Sequence, residues 1–349
     1  MAKIEKEQII AALSSVMDPE LGKDLVQLNM IRDIKIEDHK VMFTIVLTTL
    51  ACPLRNKIES EAHKAVLDVQ GVSQVEIKID SSVPHAAKIP DMLDLPINHI
   101  IAVASGKGGV GKSTISVNLS VALAQSGTKV GLLDADFYGP NIPMMMGIKG
   151  LPFQNENQKI IPGEAYGIKV MSTGFLVKEG QPLIWRGPLL HSAVKQFLSD
   201  VEWGELDYLV VDLPPGTGDV QLSLAQTISI SGGIIVTMPQ ELSLDDAGRA
   251  LEMFKKLDIP VLGIIENMGF LTLPDGQVMN VFGQGGGLKL AEKNCVPFLG
   301  TIELFPPIRE GGDTGKPIMI SHPDSPPAKE IRRMSGEIAA KLSVAAIKR

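Results

Sequence analysis

The spacing of apolar positions along the chain changes character near residue 98. Before it, Ile4, Ile9, Ile10, Leu13 and Val16 recur at helical spacing and run into the turn Asp18-Pro19-Glu20. Ile34-Lys35-Ile36 and Val41 to Leu47 predict a hairpin across Asp38-His39-Lys40. A second helix is expected from Pro53 to about Val69, then a short strand over Val75 to Ile79 after Gly71. Residues 1–80 therefore predict a small α+β domain. Residues 81–97 carry Pro84, Pro90 and Pro96 without periodicity and predict a stiff linker.

From residue 98 to 349 strand and helix patterns alternate, the signature of a doubly wound, mostly parallel α/β sheet. Candidate strands are Ile100–Ala104, Lys129–Leu133, Ile168–Met171, Tyr208–Val211, Gly233–Thr237, Val261–Ile265 and Phe298–Leu299. Most are continuous apolar runs, as expected of strands covered on both faces. Ile331, Met334, Ile338 and Leu342 predict a C-terminal amphipathic helix docked on this sheet. Ligands of such sheets bind beyond the carboxyl ends of the strands.

At the first of those ends stands Gly106-Lys107-Gly108-Gly109-Val110-Gly111-Lys112-Ser113-Thr114, a complete G-x-x-x-x-G-K-[ST] phosphate loop. Ile115, Leu119, Ala122 and Leu123 then recur at helical spacing until Gly127. Strand, glycine loop and helix together aim backbone N–H groups at one anion. Lys112 is expected on the β- and γ-phosphates, and the Ser113 hydroxyl on Mg²⁺. Lys107 is a second cation in the loop, one that cannot easily fold back onto phosphates its own backbone wraps.

Other strand ends add carboxylates. Leu133-Asp134-Ala135-Asp136 offers Asp136 to the γ-phosphate and its attacking water, with Asp134 in a structural role. Val211-Asp212 ends a Walker B strand, where Asp212 can hold the Mg²⁺ hydration shell. The backbone N–H of Gly216 is placed to sense the γ-phosphate. Asn267 follows another strand end, and an amide there can pair with an adenine edge. Met144-Met145-Met146 suits core packing or a soft partner surface. Pro306 to Asp313 is expected to form a loop on the same face.

Composition narrows the classes. A net charge of −7 gives no general attraction to nucleic acid or anionic lipid. No apolar run approaches the roughly 18 residues of a membrane span. Residues 1–7 lack the apolar core of a signal peptide, which predicts a cytoplasmic protein. Cys52 and Cys295 are the only cysteines, too few for a disulfide framework, and Cys295, leading into an apolar strand, is expected in the interior. Cys52 stands where a strand gives way to a helix, before Pro53, a place that lowers a thiol's pKa and suits a reactive or metal-binding role. A small buried apolar role is the alternative there.

Lys107-Gly108-Gly109-Val110-Gly111-Lys112-Ser113-Thr114 resembles the deviant Walker A motif of MinD, ParA and the nitrogenase iron protein. That resemblance implies a homodimer in which Lys107 reaches the partner's nucleotide. With Asp134 to Pro143, Trp185-Arg186-Gly187-Pro188, Asp212 to Gln221 and Glu266 to Met268, the chain resembles the Mrp/ApbC-type iron–sulfur cluster carrier ATPases. Asp18-Pro19-Glu20-Leu21 and Thr48-Thr49-x-x-Cys52-Pro53 resemble a small domain of iron–sulfur assembly proteins. The resemblance implies ATP and Mg²⁺ as cofactors, Asp136 as the residue orienting water, Asn267 on the base and Cys52 as a candidate iron–sulfur ligand. Partners would be a second copy and iron–sulfur client or scaffold proteins.

That family usually carries Cys-x-x-Cys shortly after Glu-Asn-Met. Here Leu273 and Gly276 stand at those places, and neither ligates iron through a side chain. Three functions remain: an ATP-hydrolysing cluster carrier, a MinD- or ParA-like positioning ATPase, and a nucleotide-gated interaction protein without a cluster. The second would need a membrane-binding tip or a basic DNA surface, and the sequence displays neither.

Overall fold

The structure, a computed structural model, describes residues 4–19, 21–48, 54–85, 92–137, 139–150, 153–156, 158–175 and 187–348. Cys52, Trp185 and Arg186 lie outside them. The chain divides into two compact units, Met1–Pro84 with Gly336–Arg349, and His85–Ser335.

In the smaller unit, helix Lys6–Leu13 precedes strands Ile31–Glu37 and Lys40–Leu47, then helix Arg55–Leu67 and strand Gln74–Ser81. Lys40–Leu47 is central, antiparallel to the first strand and parallel to the last. Its apolar side chains and those of the two helices close a core around Ile9, Leu13, Phe43, Ile45, Ile58 and Val66. Within the same unit the Ser343 hydroxyl, on the last turns of the C-terminal helix, donates to the Thr48 carbonyl at 3.3 Å.

The larger unit is built on one eight-stranded sheet. Its strands in chain order are β1 (Ile97–Ser105), β2 (Val130–Asp134), β3 (Gly163–Ala165), β4 (Ile168–Ser172), β5 (Leu206–Asp212), β6 (Gly232–Thr237), β7 (Val261–Glu266) and β8 (Phe298–Thr301). They lie in the order β8-β7-β6-β1-β5-β2-β4-β3. All pairs are parallel except β3 with β4. Helices cover the sheet, and strands β1, β2 and β5 are buried along nearly their whole length. Beyond the sheet, Leu271–Thr272 and Val278–Met279 form a small antiparallel hairpin.

Within residues 81–97, the Leu93 N–H donates to the Thr227 carbonyl and the Pro96 carbonyl accepts from Leu206, both at 2.9 Å. Three expectations change. Residues 306–314 form a helix, not a loop. Proline fits its first turn, where N–H groups have no partner, and Gly315 closes it at φ +71°. The C-terminal helix, Pro326–Lys348, packs on β8 through its first half, where Arg333 bonds the Leu299 carbonyl and Met334 is buried, while its residues from Gly336 belong to the smaller unit. The edge strand β3 was not foreseen.

Gly233 on β6 lies directly against the fully buried Phe254 ring of helix Glu241–Lys256, and a Cβ there would overlap it. Gly233→Ala should therefore lower stability by about 1–3 kcal/mol, read as a reduced urea midpoint with unchanged slope.

Candidate functional site

The carboxyl ends of β1, β2 and β5 are neighbours because those strands are adjacent in the sheet, and Asp212 stands in register with Asp134 and Val103. The phosphate loop leaves β1 and enters helix Lys112–Gln125 through Gly111, at φ +86°. No larger residue fits there, since a Cβ would overlap the Asn267 amide. Gly106 packs as closely on the backbone of Asp246 and Ala247 in helix Glu241–Lys256.

Asp212 is fully buried and surrounded by donors. Lys112 Nζ lies 2.8 Å and Ser113 Oγ 2.6 Å from its Oδ2, while Ser116 Oγ lies 2.6 Å from Oδ1. Lys112 Nζ is also 3.9 Å from Asp136 Oδ2. The structure thus gathers Lys112, Ser113, Asp136 and Asp212 into one small volume. A buried carboxylate demands such partners, because an unpaired one costs several kcal/mol.

Asp134 sits behind this cluster, wholly buried. It accepts from the Asp136 N–H at 3.2 Å, the Ile142 N–H at 3.4 Å and the Ser172 hydroxyl at 2.8 Å, so it clasps the loop that carries Asp136. Burial, then the neighbouring Asp212 charge, pushes its carboxyl up to about 7. The Gly216 N–H donates to the Ser105 carbonyl at 2.9 Å, so in this state it faces the end of the neighbouring strand β1, not a phosphate. Gln221 pins the same loop, donating to the Pro214 and Gly216 carbonyls at 3.0 and 3.1 Å.

Asn267 is buried, and its amide nitrogen donates to the Val110 carbonyl at 2.9 Å. It lines a cleft of about 610 Å³ with Thr114, Met144, Met145, Phe305 and Arg309. Of the three methionines, Met146 is core and Met144 is exposed.

Residues 96–339 match the family model for the NUBPL iron-transfer P-loop NTPase, and residues 6–79 match that of an iron–sulfur cluster assembly protein. The chain belongs to the iron-transfer P-loop NTPase family. The iron–sulfur cluster carrier protein of Synechocystis is 49% identical over 98% of this chain and 99% of its own. That of Deinococcus radiodurans is 46% identical over 97% and 96%. A nucleotide-binding protein from Archaeoglobus fulgidus, solved in complex with ADP, is 40% identical with a TM-score of 0.56, over 63% of this chain and 88% of its own. The cell division ATPase MinD of Pyrococcus furiosus shares the fold at 24% identity and a TM-score of 0.53, over 69% and 98%.

Leu273 and Gly276 fall in the turn of the small hairpin, where Leu273 N–H donates to Gln277 and Gly276 N–H to Leu273. Cys295, expected in the interior, is exposed. It caps helix Gly286–Asn294 in the left-handed conformation, at φ +54°. Among the described residues, no group of three or more His, Cys, Asp or Glu is arranged to hold a metal ion. Also among them, no helix is long and apolar enough to cross a membrane.

Sequence reasoning missed Ser116, Ser172 and Gln221. Ser116 was within reach, since it lies one helical turn after Ser113 and shares its face. Ser172 follows no motif, and Gln221 closes the segment Asp212 to Gln221 without a role that its spacing assigns.

The raised Asp134 value has a consequence for stability. The folded state takes up this proton more readily than the unfolded chain, whose carboxyl titrates near pH ~4. Its stabilising contribution is complete below that pH and disappears as pH rises through about 7. Asp134→Asn should therefore flatten the loss of unfolding free energy of the nucleotide-free protein between about pH 4 and 8. Denaturant titrations across that range test this, and equal pH slopes for both proteins would contradict it.

Proposed function

We propose that this chain is an Mg²⁺-dependent, slowly turning over ATPase that carries iron–sulfur clusters as a nucleotide-gated homodimer. The observation that carries the reading is the buried Asp212 cluster, whose donors are those an incoming nucleotide would claim. MgATP would draw Lys112 onto the β- and γ-phosphates. Ser113 and Asp212, with Asp136 nearby, form a hard oxygen set suited to Mg²⁺, which commonly binds one or two carboxylates plus phosphates. When bound, Mg²⁺ neutralises charge developing on the transferring phosphoryl group. Asp136, held by its neighbour Asp134, orients the attacking water.

The base would enter the cleft beside Asn267. One amide N–H of Asn267 is committed to the Val110 carbonyl, and its carbonyl oxygen would be the acceptor offered to the base. An acceptor there complements the exocyclic amine of adenine and opposes the O6 of guanine. Lys107 would act in trans on the partner's nucleotide, as an arginine finger does. The carrier role is supported by the family membership and by relatives named as carriers along their full length. Without thiolates at 273 and 276, iron would depend on Cys52.

Lys112→Ala should lose nucleotide binding, read by calorimetry on protein confirmed folded, because the change also strands the Asp212 charge. Asp136→Ala should bind ATP and hydrolyse it on the order of 10²-fold more slowly. Mixing Lys107→Ala with Asp136→Ala subunits should restore part of the hydrolysis, since a mixed dimer holds one intact composite site. Undiminished turnover by the Lys112 variant would end the assignment.

Anaerobic reconstitution of the full chain with iron and sulfide, followed by absorbance and iron analysis, tests the cargo. Cys52→Ser should abolish whatever cluster is held. A cluster indifferent to that change would place the ligands elsewhere, and no cluster at all would favour a nucleotide-gated interaction protein.

A further inference from the structure

Lys107 is not idle in the unliganded protomer. Its backbone is fixed, since the Ser105 hydroxyl donates to the Lys107 carbonyl at 3.0 Å. Its ammonium donates to Oε1 of Gln240 at 3.2 Å. Gln240 is the N-cap residue of helix Glu241–Lys256, yet its side chain makes no capping bond. The amide is therefore directed at the lysine and not at its own helix. The two residues meet because the same helix packs on the phosphate loop, with Gly106 seated on the backbone of Asp246 and Ala247.

We infer that Gln240 is a positioning residue that holds Lys107 in cis, away from any partner, until a second nucleotide-loaded copy draws it across. The clasp is suited to release. An amide is a neutral acceptor, and a lysine at a helix N-terminus faces the positive end of the macrodipole, offset here by Glu241 in the first turn. A triphosphate offered by a second copy is a far stronger acceptor for an ammonium. The bond is also solvent-exposed, so its net worth is small and its release fast. Gln240 touches no phosphate itself; it sets how readily Lys107 leaves. The inference rests on the trans role proposed for Lys107.

The charge of the clasp can be changed in both directions at one site. Gln240→Ala removes the acceptor, and Gln240→Glu replaces it by a carboxylate of the same length. The alanine variant should dimerise with ATP at roughly two- to fivefold lower protein concentration than the native chain, with turnover at limiting protein raised to match. The glutamate variant should shift both by a similar factor the opposite way. ADP affinity of the protomer should stay unchanged in both, because Gln240 lies outside the nucleotide contacts. Light scattering with ATP, turnover against protein concentration, and ADP calorimetry supply the readouts.

A structural role for Gln240 would move both variants in the same direction and disturb ADP binding, which would overturn the inference. So would variants indistinguishable from the native chain while Lys107→Ala abolishes hydrolysis. If Lys107→Ala hydrolyses ATP normally, the trans reading itself fails, and the clasp falls with it.

Discussion

Everything at the nucleotide end of this molecule depends on one buried carboxylate. Asp212 has no exposed surface, and two hydroxyls and one ammonium at 2.6–2.8 Å meet its charge. Left unpaired in that position it would cost several kcal/mol. Lys112 and Ser113 therefore wait in place, next to the backbone cradle made by the phosphate loop. The arrangement is both a folding solution and a poised site. In the proposed mechanism the groups that satisfy Asp212 are those that a magnesium–nucleotide complex would claim, so binding would be an exchange of partners within a preformed cluster.

The supporting layer has the same economy. Asp134, beside Asp212 in register, remains protonatable near neutrality and clasps the loop bearing Asp136. Gln221 restrains the loop after β5, and the Gly216 N–H rests on Ser105. The first loop is thus tied to β2 by two hydrogen bonds onto Asp134, and the second to the end of β1 by the bond between Gly216 and Ser105. Each such bond is worth about 1 kcal/mol, little enough for a γ-phosphate to displace. A switch built from weak ties needs little binding energy to move.

Much of this was legible in the sequence, for identifiable reasons. Strands β1, β2, β5, β6 and β7 are buried on both faces, so they read as uninterrupted apolar runs. The phosphate loop is legible because backbone geometry demands its glycines, and Asp136 and Asp212 because they end such strands. Strand β3, Gly-Glu-Ala, is three residues without a large apolar side chain and left no pattern. Helix Pro306–Thr314 was disguised by prolines and glycines, which read as breakers although the first turn tolerates the former and Gly311 packs on the Lys316 backbone. The direction of the Asn267 amide and the Lys107–Gln240 bond depend on contacts across more than a hundred residues. No local periodicity records those. The position of Cys295 was misjudged because an apolar strand follows it, whereas the helix end before it decides its exposure.

Lys107 is bonded within its own chain at rest and, in the proposed mechanism, serves another copy at work. The most direct measurement is a structure of the protein with Mg²⁺ and a non-hydrolysable ATP analogue. It should show two copies face to face, Lys107 Nζ of each within hydrogen-bond distance of the other's phosphates, and Gln240 released. A loaded single copy, with Lys107 still bonded to its own Gln240 or turned onto its own nucleotide, would contradict it.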